Sequence, residues 1–402
     1  MGWMFVGGLV ALVVGAELLV RGASRLALSF GISPLVVGLT IVAFGTSSPE
    51  LAVSVGAALE GRTDIAVGNV VGSNIFNVLF ILGLSALITP LVVNAQVIRQ
   101  EVPIMIGSSL LLLAFGLDGR LSLLDCGLLL ALLVAYTLFL VVQSRRETQT
   151  TRDEYDEALP TSGWDAHWSV QGLLVVTGLL LLVLGSNGLV QAATAFAKAL
   201  GVSDLVIGLT IVAAGTSMPE LATSIMAALR KERDIAIGNV VGSNTFNILG
   251  CLGLTGLVAP GGIPLAPSVL NFDLWVMLAV AFACLPVFVT GRRIARWEGA
   301  VFVGYYLAYA AYLILAAQAH DALPAFSAVL MGFVVPITIV TLIVVGLHRG
   351  SGPMPPPVDV DQPPRTVTSI SSGPPAVVDE SGVPNGKDEG RDLRGTGPDR
   401  PG

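Results

Sequence analysis

The sequence predicts an all-α polytopic membrane protein: two inverted five-helix repeats giving ten core helices, an eleventh helix, and a disordered C-terminal tail. Three observations carry that prediction. The 402 residues are 53% hydrophobic and only 12% charged, with a mean hydropathy of +0.80, whereas soluble domains carry about twice that charged share. Apolar runs of about 20 residues, the length that crosses a bilayer as helix, recur along most of the chain. A gap-free internal repeat lays 34–90 over 204–260 with 37 of 57 positions identical. The period-two alternation of a membrane barrel is absent.

The elements follow in order. Eleven spans are predicted, at 3–24, 34–58, 64–89, 102–118, 122–143, 169–197, 204–228, 234–258, 272–290, 298–317 and 323–347. The N-terminal run MGWMFVGGLVALVVGAELLV lacks the basic segment and cleavage site of a signal peptide and reads as the first span. Residues 1–143 form the first five-helix unit and 169–317 the second. The charged 144–168 segment between them reads as a solvated cytoplasmic loop. Residues 318–350 hold the extra helix. From 351 to 402 the chain is rich in proline, glycine, serine and acid, and reads as a disordered tail.

Five spans per unit is an odd number, so the second unit must enter the membrane from the opposite side. Such inverted repeats are typical of secondary transporters. The basic residues agree. With the N-terminus outside and the tail set aside, thirteen Lys and Arg fall inside and only Arg62, Arg120 and Lys198 outside, as the positive-inside rule requires. The tail is then cytoplasmic. A multi-pass protein of a prokaryotic cell (inner) membrane is expected.

Both repeats write the same polar residues into apolar spans. GTSSPE and GTSMPE place a proline mid-span, where it cannot donate its backbone bond and clashes with the preceding turn. The helices should open near Gly45–Pro49 and Gly215–Pro219, freeing carbonyls around Ala43, Thr46, Ala213 and Thr216. In a membrane such backbone is tolerated only when buried in protein or lining a cavity. Glu50 and Glu220 follow at once. An ionised carboxylate at mid-bilayer costs on the order of 3 kcal/mol even on lenient scales, and no basic residue of the repeats matches its depth. A cation held by carboxylates, hydroxyls, amides and carbonyls solves this. Those hard oxygens suit calcium, sodium or magnesium rather than zinc or copper.

The heptapeptide GNVVGSN, present at both Gly68–Asn74 and Gly238–Asn244, adds a stripe. Asn69, Ser73 and Asn77 fall at i, i+4 and i+8 of a helix, and so do Asn239, Ser243 and Asn247. Gly68 with Gly72, and Gly238 with Gly242, form small-residue edges for close helix approach. Asn69, Asn74, Asn239 and Asn244 read either as interhelical glue or as support for the site. Two inverted copies would converge on one oxygen-lined pocket. Empty, it holds two buried negative charges, which is unfavourable. Competing cations on shared ligands would then couple their flows.

GTSxPE followed by GNxxGSNxxN, twice and inverted, resembles the α-repeats of the cation/calcium antiporter superfamily, and most closely those of prokaryotic sodium/calcium exchangers. The resemblance covers about the first 317 residues. It implies a site built from the second, third, seventh and eighth helices. It implies Glu50 and Glu220 as main calcium ligands, with carbonyls of Thr46 and Thr216. Sodium would use these together with Ser47, Ser217, Ser73, Ser243, Asn77, Asn247 and the carbonyls of Ala43 and Ala213. Some family members carry Asp where Asn247 stands here, which leaves stoichiometry and potassium dependence open. The eleventh span and the tail lie outside the family pattern.

The expectation is a sodium/calcium antiporter working by alternating access, with the transported ions as substrates and no cofactor. A proton/calcium antiporter of the same fold is the alternative, and a cation channel a more distant one. Partners are the lipid bilayer, Ca2+ and Na+, with H+ or K+ open; oligomeric state is open as well. No basic patch suggests nucleic acid, and no GxxxxGK[ST] motif suggests a nucleotide; an enzyme is not expected. Cys126, Cys251 and Cys284 lie in apolar runs and read as packing residues. Glu17 reads as structural, paired with Arg21 one turn on. Asp64 and Asp234 read as helix N-terminal acids. Tyr305, Tyr306, Tyr309 and Tyr312 read as packing or interfacial residues.

Overall fold

The computed structural model describes residues 2–30, 32–155, 167–199 and 213–341, with backbone alone at 145–155, 197 and 213. In the first unit, α1 spans Gly2–Phe30, α2 Pro34–Thr46, α3 Ser48–Leu59, α4 Thr63–Ile88, α5 Val97–Gly116 and α6 Leu123–Tyr155. In the second, α7 spans Trp168–Ala199, α8 Ala213–Thr216, α9 Met218–Leu229, α10 Arg233–Val258, α11 Val269–Arg292 and α12 Arg296–Ala317. The extra helix, α13, covers Leu323–Thr341. Among the described residues nine helices are long and apolar enough to span a membrane, and α2 with α3 makes a tenth span bent by 43°. The predicted 204–228 span is seen from Ala213 onward, and the predicted tail lies outside the described residues.

Several boundaries differ from the sequence-based reading; α1, expected to end at 24, runs to Phe30. Helix α6 runs through to Tyr155, so the first part of the expected 144–168 loop is helical. Its residues include Arg, Glu and Gln and no glycine or proline, so nothing in them stops a helix. Helices α5 and α11 each begin earlier than expected, in wide π turns at Val97–Glu101 and Val269–Asp273. Hydropathy alone misses the start of α5 because Arg99, Gln100 and Glu101 dilute the apolar signal, while the α11 start differs by only three residues.

The expected opening is present in both repeats. Ser47 (φ −82°, ψ 7°) and Ser217 (φ −88°, ψ 12°) interrupt the helix, and Pro49 and Pro219 sit in the first turn of the next one, where a missing N–H is harmless. Two further π turns, Asn77–Leu82 and Asn247–Leu252, begin at the last residue of each polar stripe.

Burial places the layers. The membrane-length windows of α4 and α10 are 72% and 100% buried, while those of α12 and α13 are 6% and 0% buried. The repeats' third spans therefore form the centre, and α13 packs outside through Tyr305, whose hydroxyl donates to Thr338 at 2.7 Å. Two short antiparallel clips tie the units together. β1 (Leu91–Val92) pairs with β4 (Arg293–Ile294), and β2 (Arg120–Leu121) pairs with β3 (Ile263–Pro264). Each joins the end of one unit's central helix to the start of the other's last helix.

Helices α1 and α7 cross antiparallel at bare backbone. A Cβ on Gly15 would stand 2.9 Å from the Gly178 carbonyl, and one on Gly178 would stand 2.6 Å from the Leu19 nitrogen. Neither neighbour is a side-chain tip that can swing away. Gly178→Ala is therefore expected to destabilise the protein by about 1–3 kcal/mol, as overpacking does, while Gly172→Ala, with open space at its Cβ, is neutral. Thermal unfolding of the two variants in detergent checks the difference.

Candidate functional site

The two interruptions and the two central helices meet. Thr46, Ser47, Glu50, Asn77, Ser217, Glu220, Asn239, Ser243 and Asn247 are all 0% exposed, and Ser73 is 2% exposed. No side chain here reaches solvent, so every polar atom must be satisfied inside the protein or by something it holds.

The contacts cross between repeats with near two-fold symmetry. Ser217 Oγ donates to Glu50 Oε1 at 2.8 Å, and Ser47 Oγ donates to Glu220 Oε1 at 2.8 Å. Each carboxylate is thus oriented by the serine of the opposite interruption. Thr46 Oγ1 donates to Asn239 Oδ1 at 3.0 Å, and Thr216 Oγ1 to Asn69 Oδ1 at 3.2 Å. The amide nitrogens of these asparagines turn back to their own repeats. Asn69 Nδ2 donates to the Glu50 carbonyl (3.2 Å) and Ser54 Oγ (3.1 Å). Asn239 Nδ2 donates to the Glu220 carbonyl (3.3 Å) and Ser224 Oγ (2.9 Å). Asn69 and Asn239 are therefore cross-ties, with both ends of the amide used within the protein. Asn74 and Asn244 form a second tie, each donating to the other's backbone carbonyl.

Once these bonds are drawn, four buried oxygens of the expected site residues have no hydrogen-bond partner among the described residues: Glu50 Oε2, Asn77 Oδ1, Glu220 Oε2 and Ser243 Oγ. Each repeat contributes a carboxylate and a neutral oxygen. Among the described residues no basic side chain bonds either carboxylate. An unpaired buried charge is among the most expensive arrangements a protein can hold. The donor set, all oxygen, fits a hard cation such as calcium or sodium.

The repeats are not equivalent in detail. Ser73 Oγ lies 3.1 Å from Ser217 Oγ, whereas its mate Ser243 Oγ has no hydrogen-bond partner among the described residues. Asn247 Oδ1 receives the Cys251 thiol at 3.5 Å, where the first repeat has Ile81. Cys251, read from sequence as a packing residue, thus touches the polar stripe. The Ala43 carbonyl, expected to be freed, accepts the Ser47 N–H at 3.0 Å. The interruption falls at Ser47, and the Gly45 carbonyl lacks its regular donor four residues on because Pro49 has no N–H. Ala213 is the first residue described in α8.

Other expectations resolve differently. Glu17 pairs with Arg230 of the second repeat. Asp64 and Asp234 do sit in the first turns of α4 and α10. Gly238 and Gly242 let α10 close on α2, where added Cβ atoms would meet the Leu35 and Leu39 carbonyls at 2.9 and 2.7 Å. The segment that would match α2 opposite Gly68 and Gly72 lies outside the described residues. Tyr306 packs edge-on to Phe76, and Tyr312 stacks on Phe272. Tyr309, by contrast, donates to Asp273 at 2.8 Å. The sequence-based reading missed this bond, and the Glu101 and methionine contacts described below. A carboxylate at 101 and 273 on the edge of apolar runs was the available signal.

Comparison with known proteins bears on what this pocket serves. Residues 1–142 and 170–315 match the family described as "Sodium/calcium exchanger protein". The chain is 40% identical over 312 residues to "Putative antiporter CaxA" of Alkalimonas amylolytica, covering 74% of this chain and 95% of that one. It is 35% identical over 340 residues to "Sodium/calcium exchanger MaX1" of Methanosarcina acetivorans, covering 75% and 95%. Among solved structures it is similar to the sodium-calcium exchanger NCX_Mj soaked with 2.5 mM Na+ and 0.1 mM Ca2+, with a TM-score of 0.65, 31% identity, and coverage of 76% of this chain and 95% of that one.

Proposed function

The chain belongs to the sodium/calcium exchanger protein family, and from that premise we propose that it exchanges Na+ for Ca2+ across a membrane by alternating access. Glu50 and Glu220 are the shared calcium ligands. The carbonyls of Thr46 and Thr216 complete the calcium set. Ser47, Ser217, Ser73, Ser243, Asn77, Asn247 and the carbonyl of Ala213 serve sodium. The N-terminus lies outside the cell membrane and the tail in the cytoplasm.

One observation carries this reading: two fully buried carboxylates, each aimed by the other repeat's serine and each left with an oxygen that no described residue bonds. One divalent ion, or monovalent ions replacing it, neutralises that charge. An empty pocket is penalised by two uncompensated carboxylates. Conversion between the two facing states is then favourable only when the pocket is loaded, and calcium and sodium cannot load the same oxygens at once. Exclusion at shared ligands is what couples the two flows.

The test uses the purified full chain in sealed vesicles. An outward sodium gradient should drive calcium uptake, and dissipating it should stop uptake. Uptake driven by a pH gradient and indifferent to sodium would replace sodium by protons as the counter-ion. Calcium flux with no counter-ion at all would overturn antiport.

A further inference from the structure

Each unit holds an acid–tyrosine pair that the pocket does not use, buried in the first unit and half-buried in the second. At the start of α5, Glu101 is 0% exposed. Its Oε2 accepts the Tyr136 hydroxyl at 2.6 Å, and its Oε1 accepts Gln96 and Gln100 Nε2 at 3.0 and 2.7 Å. At the start of α11, Asp273 accepts the Tyr309 hydroxyl at 2.8 Å. Both acids close the π turns that begin these helices. The pairs tie α5 to α6 and α11 to α12, and so fix where the next turn of each helix points.

That next turn carries a buried methionine four residues on, and each methionine reaches the centre of the protein. Met105 Sδ accepts Asn244 Nδ2 at 3.6 Å, and Met277 Sδ accepts Asn74 Nδ2 at 3.6 Å. The same two nitrogens donate to backbone carbonyls, Asn244 Nδ2 to Asn74 O at 3.2 Å and Asn74 Nδ2 to Asn244 O at 3.4 Å. A thioether sulfur and a carbonyl can only accept. Each amide is therefore held with its NH2 toward the acceptors and its oxygen on the other side. Those oxygens receive the stripe asparagines: Asn77 Nδ2 donates to Asn244 Oδ1 at 3.0 Å, and Asn247 Nδ2 to Asn74 Oδ1 at 3.3 Å. With its nitrogen so occupied, Asn77 presents an oxygen that no described residue bonds. Reversing Asn74 or Asn244 would set nitrogen against nitrogen, and the stripe asparagine would turn its NH2 toward the cation.

We propose that Met105 and Met277 are positioning residues for the transported cation. They act through Asn244 and Asn74 to set which end of Asn77 and Asn247 faces the pocket, and the Glu101–Tyr136 and Asp273–Tyr309 pairs hold the turns that carry them. The inference rests on the proposed role of Asn77 and Asn247 as ligands.

The test compares Met105→Leu, Met277→Leu and the double variant with the same positions changed to Gln, all as full chains in vesicles. Leucine keeps the volume and removes the acceptor; glutamine keeps an acceptor oxygen. The double Leu variant should raise the KM for sodium, read as the internal sodium concentration that gives half-maximal calcium uptake, about three- to tenfold, the scale of one net hydrogen bond, with maximal rate within about twofold, and Gln should bring KM back toward the parent value. A packing role gives the opposite order, since a polar amide would be the poorer filler. An unchanged KM in the Leu variants, or Gln no better than Leu, overturns the proposal. The single variants serve if the double does not fold. Asn77→Ala separates the two levels: if it raises KM while the Leu variants do not, only the positioning role fails, and if it leaves KM unchanged, the ligand assignment fails with it.

Discussion

Glu50→Gln is expected to reduce sodium-driven calcium uptake by at least about 100-fold, since removing one partner of a buried charge set costs about 3–5 kcal/mol. Glutamine is isosteric and its oxygen can still accept from Ser217 Oγ, which lies 2.8 Å from Glu50 Oε1. What changes is the other position. Glu50 Oε2 is buried and without a described partner, and an NH2 there aims a donor at a cation. A divalent ion would then meet the single charge of Glu220. Two readouts separate this from misfolding. Without calcium the variant should unfold at a temperature no lower than the parent, because an uncompensated buried carboxylate is gone. With calcium the parent should gain stability by ligand linkage, and the variant should not. Glu220→Gln should behave alike, because Ser47 holds Glu220 Oε1 at the same 2.8 Å. Uptake within about threefold of the parent in both variants would remove calcium from this pocket, being far less than a lost charge-assisted interaction.

Why these particular residues were legible in the sequence has a physical reason. A carboxylate or an asparagine in an apolar span is costly, so its presence is a signal, and its recurrence at Glu50 and Glu220 or Asn77 and Asn247 doubles it. A 170-residue offset repeated without gaps fixed which residues correspond, and five spans per unit fixed their inversion. The partners were less legible. That Ser217 serves Glu50, and Ser47 Glu220, is a property of how inverted copies interleave, not of either copy. The π turns at Asn77 and Asn247 change the helical phase after the stripe, which no count at 3.6 residues per turn can foresee. Met105 and Met277 looked like ordinary core residues because a thioether gives no polar signal, although each accepts an amide at 3.6 Å. Glu17 shows the same limit: its pairing with Arg230, 213 positions away in the other repeat, leaves no mark in the local sequence.

Asn239→Ala should cost more than Asn69→Ala, although the two residues are repeat mates with the same bonds. Asn239 is 0% exposed and Asn69 is half-buried. Truncating Asn239 leaves the Thr46 and Ser224 hydroxyls and the Glu220 carbonyl without its amide. Each buried orphan costs about 1–3 kcal/mol, but the hydroxyls can rotate to carbonyls of their own helices, so about 3–4 kcal/mol is expected in all. Thr216, Ser54 and the Glu50 carbonyl lose the same contacts in Asn69→Ala. There the partly open position lets water substitute, which should hold the loss to about half that, near the net worth of one or two hydrogen bonds. The functional consequence follows the same order. The Asn239 tie joins the interruption of the first repeat, through Thr46, to the backbone of Glu220, so its loss loosens ligands from both repeats at once. Thermal unfolding of both variants, alongside calcium KM in vesicles, reads the ranking directly. Equal losses would mean that the Asn69 tie is as dry as the Asn239 tie, and a larger loss at Asn69 would mean that the first repeat, not the second, anchors the pocket.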